Sequence, residues 1–217
     1  MTNPPPIQLN PGNKPGYTII LLHGLGADGN DFVPIVEQLG LPRSLGLRFV
    51  FPNAPSMPVS VNQGYVMPSW YDIYGMDLTA RIDTQGIERS TRYLHSLIRQ
   101  EQENGVPAER IILAGFSQGG LIALTAALGC QDKLLGVMAL STYLPLEVES
   151  PGYHELEIFQ AHGRMDNVVP YTVGLDAKHR LEQFGHRLAW HEYDMAHSVS
   201  MPEIADIRDW LLARMGG

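Results

Sequence analysis

Short apolar runs alternate along this chain with longer stretches in which apolar residues recur at helical spacing. Runs without polar alternation are typical of parallel strands that are buried on both faces. They predict strands at residues 17–22, 47–51, 110–114, 137–140, 157–161 and 188–193. The stretches between them predict helices at residues 31–39, 117–128, 171–184 and 201–215, and a longer one from Asp83 or Thr84 to about residue 104. This order predicts an α/β fold with a mostly parallel central sheet and helices on both faces.

A single domain is predicted, with two segments that depart from the alternation of strands and helices. The 217 residues suit one domain with a sizeable core, here residues 1–217, and no linker or internal repeat divides them. Residues 1–16 are predicted to be an irregular N-terminal segment. Residues 52–79 lack a clear period, yet they hold four prolines and several large apolar side chains. Because long ordered loops are often functional, this segment is a candidate wall of a binding site.

Composition and charge exclude several classes of function. The formal net charge is −8, and an acidic surface repels phosphate backbones, which argues against a nucleic-acid partner. No apolar stretch approaches the roughly 18 residues that span a bilayer, and the N-terminus lacks the charged and apolar regions of a signal peptide. Cys130 is the one cysteine of the chain, so no intrachain disulfide can form. We therefore expect a cytoplasmic protein without stable membrane insertion.

A serine stands where the third predicted strand meets the helix at residues 117–128. The stretch Gly115-Phe116-Ser117-Gln118-Gly119 matches the G-x-S-x-G pattern of a nucleophile elbow. In such an elbow the chain turns so sharply that a Cβ atom on either glycine would crowd the turn. The serine hydroxyl is then exposed at a helix N-terminus, which favours developing negative charge. Ser117 is therefore the candidate nucleophile.

A glycine cluster after the first predicted strand has two interpretations. Gly24, Gly26 and Gly29 fit G-x-G-x-x-G, the fingerprint of a nucleotide-binding oxidoreductase. That fingerprint needs an acidic residue about 20 positions further on, and none lies between residues 44 and 71. The alternative is an oxyanion hole, in which the backbone N–H of Leu25 and that of Gln118, the residue after the nucleophile, point at the developing charge. The sequence therefore favours the oxyanion hole, because the acidic residue that the nucleotide-binding fingerprint requires is missing.

A serine nucleophile also needs a base and an acid that orients it. His197 is the candidate base, because its loop follows the last predicted strand and should open at the same sheet edge as Ser117. Asp166, in the loop after the fifth predicted strand, is the candidate acid, and Asp194, three residues before His197, is the alternative. Both acids keep the chain order serine, acid, histidine, so order does not choose between them.

Metal and cofactor chemistry are not predicted, and an apolar substrate site is. His191 and His197 lack the H-E-x-x-H spacing that places two imidazoles on one helix face around zinc. Acyl transfer through serine requires no metal and no organic cofactor. Because ligand pockets are mostly apolar, four residues in the loop at 52–79 and next to Asp166 are predicted to line the acyl site. They are Met67, Trp70, Val168 and Val169.

Several motifs in order resemble the phospholipase/carboxylesterase family, which includes bacterial carboxylesterases and the acyl-protein thioesterases. They are LHGLGADGNDF, FPNAP, SWYD, GFSQGG, HGRMDNVVP and a late D-x-x-H, and the resemblance runs from about Thr18 to the end. It implies a compact α/β-hydrolase fold without a cap domain. It also implies hydrolysis of carboxylic esters, thioesters or lysophospholipids, so that the partner is a small-molecule or lipid ester.

The resemblance also implies roles for single residues. The triad positions of the family match Ser117, Asp166 and His197, and its oxyanion donors match Leu25 and Gln118. Members of the family are often homodimers, which makes a homodimer an expectation here. A non-catalytic binding protein with the same fold would be expected to lack one triad member, and all three candidates are present.

Overall fold

The structure of the chain, a computed structural model, describes residues 2–10, 14–75, 78 and 81–216. Its strands are β1 (Ile7–Leu9), β2 (Tyr17–Leu22), β3 (Leu47–Phe51), β4 (Ser56–Val59), β5 (Tyr65–Pro68), β6 (Ile111–Phe116), β7 (Gly136–Leu140), β8 (Glu157–Gly163) and β9 (Arg187–Tyr193). Its α-helices are α1 (Ile35–Leu39), α2 (Thr84–Glu103), α3 (Gln118–Leu128), α4 (Tyr171–Gln183) and α5 (Met201–Met215).

Seven strands form the central sheet in the order β1-β3-β2-β6-β7-β8-β9. β1 is antiparallel to β3, and the remaining neighbours are parallel. Because β6 lies in the middle of this order, the turn at its carboxyl end is flanked by the ends of β2 and β7. The mostly parallel sheet predicted from the sequence is confirmed.

Two apolar cores cover the two faces of the sheet. Along β2, Ile20 and Leu22 belong to the core shared with α2, α3 and α4, whereas Ile19 and Leu21 belong to the core shared with α1 and α5. Side chains of a strand alternate between faces, so a strand buried on both is apolar at most of its positions. This explains why the central strands appear in the sequence as continuous apolar runs.

The structure departs from the predicted elements at two places near the N-terminus. Ile7–Leu9 forms β1, paired with β3, so the prediction of an irregular segment is wrong for these residues, while residues 1 and 11–13 lie outside the described part. The helix predicted at residues 31–39 is a 3-10 turn at Gly29–Phe32 followed by α1. Pro34, which has no N–H to continue a helical hydrogen-bond ladder, separates the two.

The segment at residues 52–79 contains a β-hairpin that its sequence does not reveal. β4 and β5 pair antiparallel, and Gln63 and Gly64 adopt positive φ angles of 57° and 79° in the turn between them. Residues 76, 77 and 79 of this segment lie outside the described residues. No helix in the described part of the chain has the length and apolarity needed to cross a membrane.

Candidate active site

Ser117 occupies a strained turn between β6 and α3. Its φ of 54° and ψ of −119° lie in a region that non-glycine residues rarely adopt. The Ser117 N–H donates to the carbonyl oxygen of Leu140 at 2.8 Å, and the Thr142 hydroxyl donates to the carbonyl oxygen of Ser117 at 2.7 Å. The turn is therefore held by the last residue of β7 and by the chain that follows it.

Two glycines make this turn sterically feasible. A Cβ atom on Gly115 would lie 2.2 Å from the carbonyl oxygen of Gly119, across the elbow. A Cβ atom on Gly119 would lie 2.5 Å from the carbonyl oxygens of both Leu22 and His23. All of these neighbours are backbone atoms, so they cannot move aside as a flexible side chain would. The elbow can therefore pack directly against the end of β2.

The structure brings Asp166 and His197 into direct contact. Asp166 Oδ2 lies 2.7 Å from His197 Nδ1, and the other carboxylate oxygen accepts the N–H groups of Val168 and Val169, each at 2.9 Å. The Asp166 side chain is fully buried, and the His197 ring packs 4.7 Å from that of Phe116, centroid to centroid. With Nδ1 as the donor to the carboxylate, Nε2 carries the lone pair and can act as a base.

Ser117 and His197 line one cavity of about 480 Å³, together with Leu25 and Val168. The remaining walls are mostly apolar. They are formed by Gly24, Ala27, Asp31, Phe32, Phe116, Ser198 and Val199. A mostly apolar wall with a few polar groups at one place is the usual character of a small-ligand site.

The loop that carries Leu25 is shaped by a buried neutral histidine. His23 Nδ1 lies 2.7 Å from the carbonyl oxygen of Gly24, and the N–H of Ala54 donates to its Nε2 at 3.1 Å. These contacts assign the ring proton to Nδ1. Burial lowers the pKa of His23, which favours the neutral ring that Ala54 requires as an acceptor. A Cβ atom on Gly24 would lie 3.5 Å from that of Ser117, so this loop directly adjoins the elbow.

The four predicted acyl-site residues do not share one location. Val168 lines the cavity and is 53% exposed, whereas Val169 is buried at 2%. The Met67 Sδ atom lies beside Gly26 in the Leu25 loop, 3.5 Å from the place of a Cβ atom there. Trp70 is fully buried, and its indole N–H donates to the carbonyl oxygen of His23 at 2.9 Å. Of the four, only Val168 is among the residues that line the cavity, and Met67, Trp70 and Val169 lie outside that lining.

Phe32 and Phe116 form cavity walls that the sequence prediction missed. Their rings pack with centroids 5.9 Å apart. Phe116 directly precedes Ser117, and Phe32 ends the turn after the glycine cluster, so proximity to the two motifs was the signal that could have identified them.

Asp194, the alternative acid, contacts a cation instead of the imidazole. Its carboxylate accepts from Arg164 at 2.8 Å, and Arg164 also donates to Glu192 at 2.6 Å. Hydrogen bonds from Tyr171 and Arg164 lower the pKa of Glu192 to about 2. Arg164 thereby links the loop that carries Asp166 to the loop that leads to His197.

A second buried histidine lies beneath the Asp166 carboxylate. His162 Nε2 lies 2.9 Å from the carbonyl oxygen of Val169 and 3.6 Å from Asp166 Oδ2. Burial lowers the pKa of His162, so the ring is held neutral next to the carboxylate. A neutral His162 leaves the Asp166 charge available to His197.

The helix after the His197 loop begins with a buried carboxyl group, which predicts a pH-dependent stability. Glu203 lies in the capping box of α5, where its Oε2 accepts from the N–H of Ser200 at 3.3 Å, while burial raises its pKa to about 8. A pKa raised above the unfolded value gives a contribution that is present below the unfolded pKa and is lost as pH rises through the folded one.

We therefore expect Glu203→Gln to raise the melting temperature more at about pH 9 than at about pH 5, since glutamine keeps the carbonyl acceptor without the buried charge. Thermal unfolding of both proteins across this range measures the effect. An equal shift at both pH values would contradict it.

Comparisons with known proteins identify the family of this chain. The family model described as Phospholipase/Carboxylesterase matches residues 7–214. Acyl-protein thioesterase 1 of Neurospora crassa is 37% identical, over 97% of this chain and 92% of that protein. Acyl-protein thioesterase 1 of Yarrowia lipolytica is 38% identical, over 89% of this chain and 90% of that protein.

Solved structures match over nearly the whole fold. The crystal structure of Arabidopsis thaliana SOBER1 superposes with a TM-score of 0.85 at 29% identity, covering 92% of this chain and 99% of that one. Zea mays acyl-protein thioesterase 2 gives a TM-score of 0.83 at 26% identity, covering 97% of this chain and 99% of that one. With its central sheet and two helical layers, the chain has the α/β-hydrolase fold; it belongs to the phospholipase/carboxylesterase family and is a hydrolase of that kind.

Proposed function

We propose that this protein is a serine hydrolase that cleaves carboxylic esters and thioesters through an acyl-enzyme on Ser117. The observation that carries the proposal is the 2.7 Å contact between buried Asp166 and His197, beside a cavity that both His197 and the strained Ser117 line. In the proposed roles, His197 is the general base and Asp166 orients its ring.

Acylation begins when Ser117 Oγ attacks the substrate carbonyl carbon and its proton passes to His197 Nε2. Asp166 stabilises the resulting imidazolium, and the backbone N–H groups of Leu25 and Gln118 stabilise the tetrahedral oxyanion. The intermediate collapses, the bond to the alcohol or thiol breaks, and that leaving group takes the proton from Nε2. Water then attacks the acyl-enzyme with the same base, which releases the acid and restores Ser117.

The apolar cavity favours substrates with a fatty or other apolar acyl group. Phe32, Phe116 and Val199 give it walls that bury methylene groups, and Val168 and Met67 are proposed as further substrate contacts. Thioesters are proposed because the Neurospora crassa and Yarrowia lipolytica relatives are named acyl-protein thioesterase 1. Lysophospholipids are proposed as a related lipid substrate, and the homodimer implied by the family stays a prediction.

Matched substrates test this proposal. The four substrates are an octanoyl oxyester, the corresponding octanoyl thioester, and the acetyl oxyester and acetyl thioester of the same leaving groups. The protein is expected to hydrolyse the octanoyl compounds with a higher kcat/KM than the acetyl compounds, because each buried methylene contributes about 0.8 kcal/mol. Ser117→Ala should remove hydrolysis of all four compounds. Failure of the wild-type protein to hydrolyse any of them, or full activity of folded Ser117→Ala, would contradict the proposal.

A further inference from the structure

A segment from Pro68 to Tyr71, buried from Ser69 onward, lies between the loop that carries Leu25 and the elbow. Two hydrogen bonds join it to the loop on either side of Leu25. The Trp70 indole donates to the carbonyl oxygen of His23 at 2.9 Å, and the Gly26 N–H donates to the carbonyl oxygen of Pro68 at 2.9 Å. The backbone on both sides of the Leu25 amide is therefore attached to the same short segment.

The side chain of Gln118 attaches this segment to the elbow. Its Oε1 accepts the N–H of Trp70 at 2.9 Å, and its Nε2 donates to Ser69 Oγ at 2.9 Å and to the carbonyl oxygen of Tyr71 at 2.7 Å. Gln118 is 1% exposed, so these bonds are made in the interior, where an unmade one would be costly. The residue whose amide is the proposed second oxyanion donor thus holds the segment with its side chain.

The segment itself is fixed to the body of the fold. The Ser90 hydroxyl of α2 donates to the carbonyl oxygen of Trp70, and the Trp70 ring stacks on Tyr93 of the same helix with centroids 6.4 Å apart. The Trp70 ring also packs 5.1 Å from that of His23. The segment therefore connects the Leu25 loop to α2 as well as to the elbow.

We infer that Trp70 and the Gln118 side chain are positioning residues that fix the separation of the two oxyanion amides, Leu25 N–H and Gln118 N–H. This inference rests on the proposed acyl-enzyme mechanism and adds a role that the motif alone does not give. Neither side chain touches the substrate. They act by joining two chain segments, distant in sequence, that must present their amides to one oxygen atom.

The expected effect lies on kcat rather than on KM. An oxyanion hole binds the tetrahedral intermediate and not the ground-state carbonyl, so a displaced donor weakens transition-state binding. Loss of one donor typically costs about 10²–10³ in kcat, and a displaced donor loses part of that. We therefore expect a decrease of about 10–100-fold in kcat with little change in KM.

Trp70→Phe tests the contact to the Leu25 loop, and Trp210→Phe is its matched control. Phenylalanine keeps an aromatic ring in the interior but removes the N–H that bonds His23. Trp210 is also buried, lies in the other core, and its indole nitrogen has no hydrogen-bond partner within the described residues. Trp70→Phe should lower kcat while Trp210→Phe should not, whatever both do to the melting temperature.

Gln118→Met tests the contact to the elbow, with Gln160→Met as control. Methionine has a similar length and removes all three bonds without adding charge. Gln160 is fully buried as well and donates to the carbonyl oxygen of Gly174 in α4, away from the Leu25 loop. A role limited to stability predicts lower melting temperatures for both variants and an unchanged kcat for both.

An octyl trifluoromethyl ketone, which forms a tetrahedral oxyanion adduct on serine, separates positioning from general loosening. For Trp70→Phe and Gln118→Met we expect its inhibition constant to rise by the same factor by which kcat/KM falls, with KM unchanged. An unchanged inhibition constant and kcat in both folded variants would overturn the inference while leaving the proposed function intact. A wild-type protein that neither hydrolyses esters nor binds the ketone would instead overturn the proposed function.

Discussion

Replacing Asp166 with asparagine is expected to lower kcat by about 10³–10⁴-fold with the fold intact. Asp166 uses one oxygen to accept two backbone amides and the other to accept from His197 Nδ1. Asparagine can keep the first set with its carbonyl, but its NH₂ group then faces Nδ1. His197 must accept that bond, which places its own proton on Nε2, so the ring can no longer take the proton of Ser117.

Asp194→Asn is the matched control for this prediction. The Asp194 side chain is 81% exposed and pairs with Arg164, so its loss should change kcat less than about fivefold, since exposed ion pairs contribute about 0–1 kcal/mol. Steady-state kinetics of both variants on one activated ester, after circular dichroism of each, measure the ranking. A larger loss in Asp194→Asn would transfer the orienting role to that residue.

Gly119→Ala is expected to have the largest effect on stability. The new Cβ atom would lie 2.5 Å from the carbonyl oxygens of Leu22 and His23, so α3 or the end of β2 must move. Both elements are packed in the core, and forced overpacking of this kind should cost about 3 kcal/mol or more in the free energy of unfolding.

Gly129→Ala, at the other end of α3, is the matched control because its Cβ atom would meet Thr125 O at an ordinary 3.5 Å. Urea unfolding of both variants measures the difference. Equal stability of the two would show that the elbow tolerates a side chain and would contradict the steric argument.

The sequence was most informative where burial acts on every residue of an element. The runs that became β2, β6 and β7 are almost entirely apolar because both of their faces are covered. The position of Ser117 followed from the same signal, because the end of an apolar run and two glycines together define the turn.

The hairpin formed by β4 and β5 shows where such reasoning fails. Its strands carry Pro58 and Pro68, residues that favour loops. β4 alternates exposed and buried positions over only four residues, and β5 has no buried position, so neither strand stands out in the sequence. The prediction that Trp70 lines the acyl site has a related weakness, since an aromatic residue in an aperiodic segment gives no sign of whether it faces the interior or a ligand.

Chain order could not decide between Asp166 and Asp194, and the preference for Asp166 came from its separate loop and from the family resemblance. The choice depends on contacts that local sequence does not encode. Two backbone amides fix the Asp166 carboxylate toward the imidazole, while the Arg164 guanidinium holds Asp194 at the surface.

Covalent labelling of the wild-type protein with a fluorophosphonate, followed by peptide mass spectrometry, tests the central claim most directly. The account predicts one adduct, on the peptide that contains Ser117, which is lost in Ser117→Ala and forms far more slowly in Asp166→Asn than in Asp194→Asn. An adduct on another residue, or labelling that persists in folded Ser117→Ala, would contradict it.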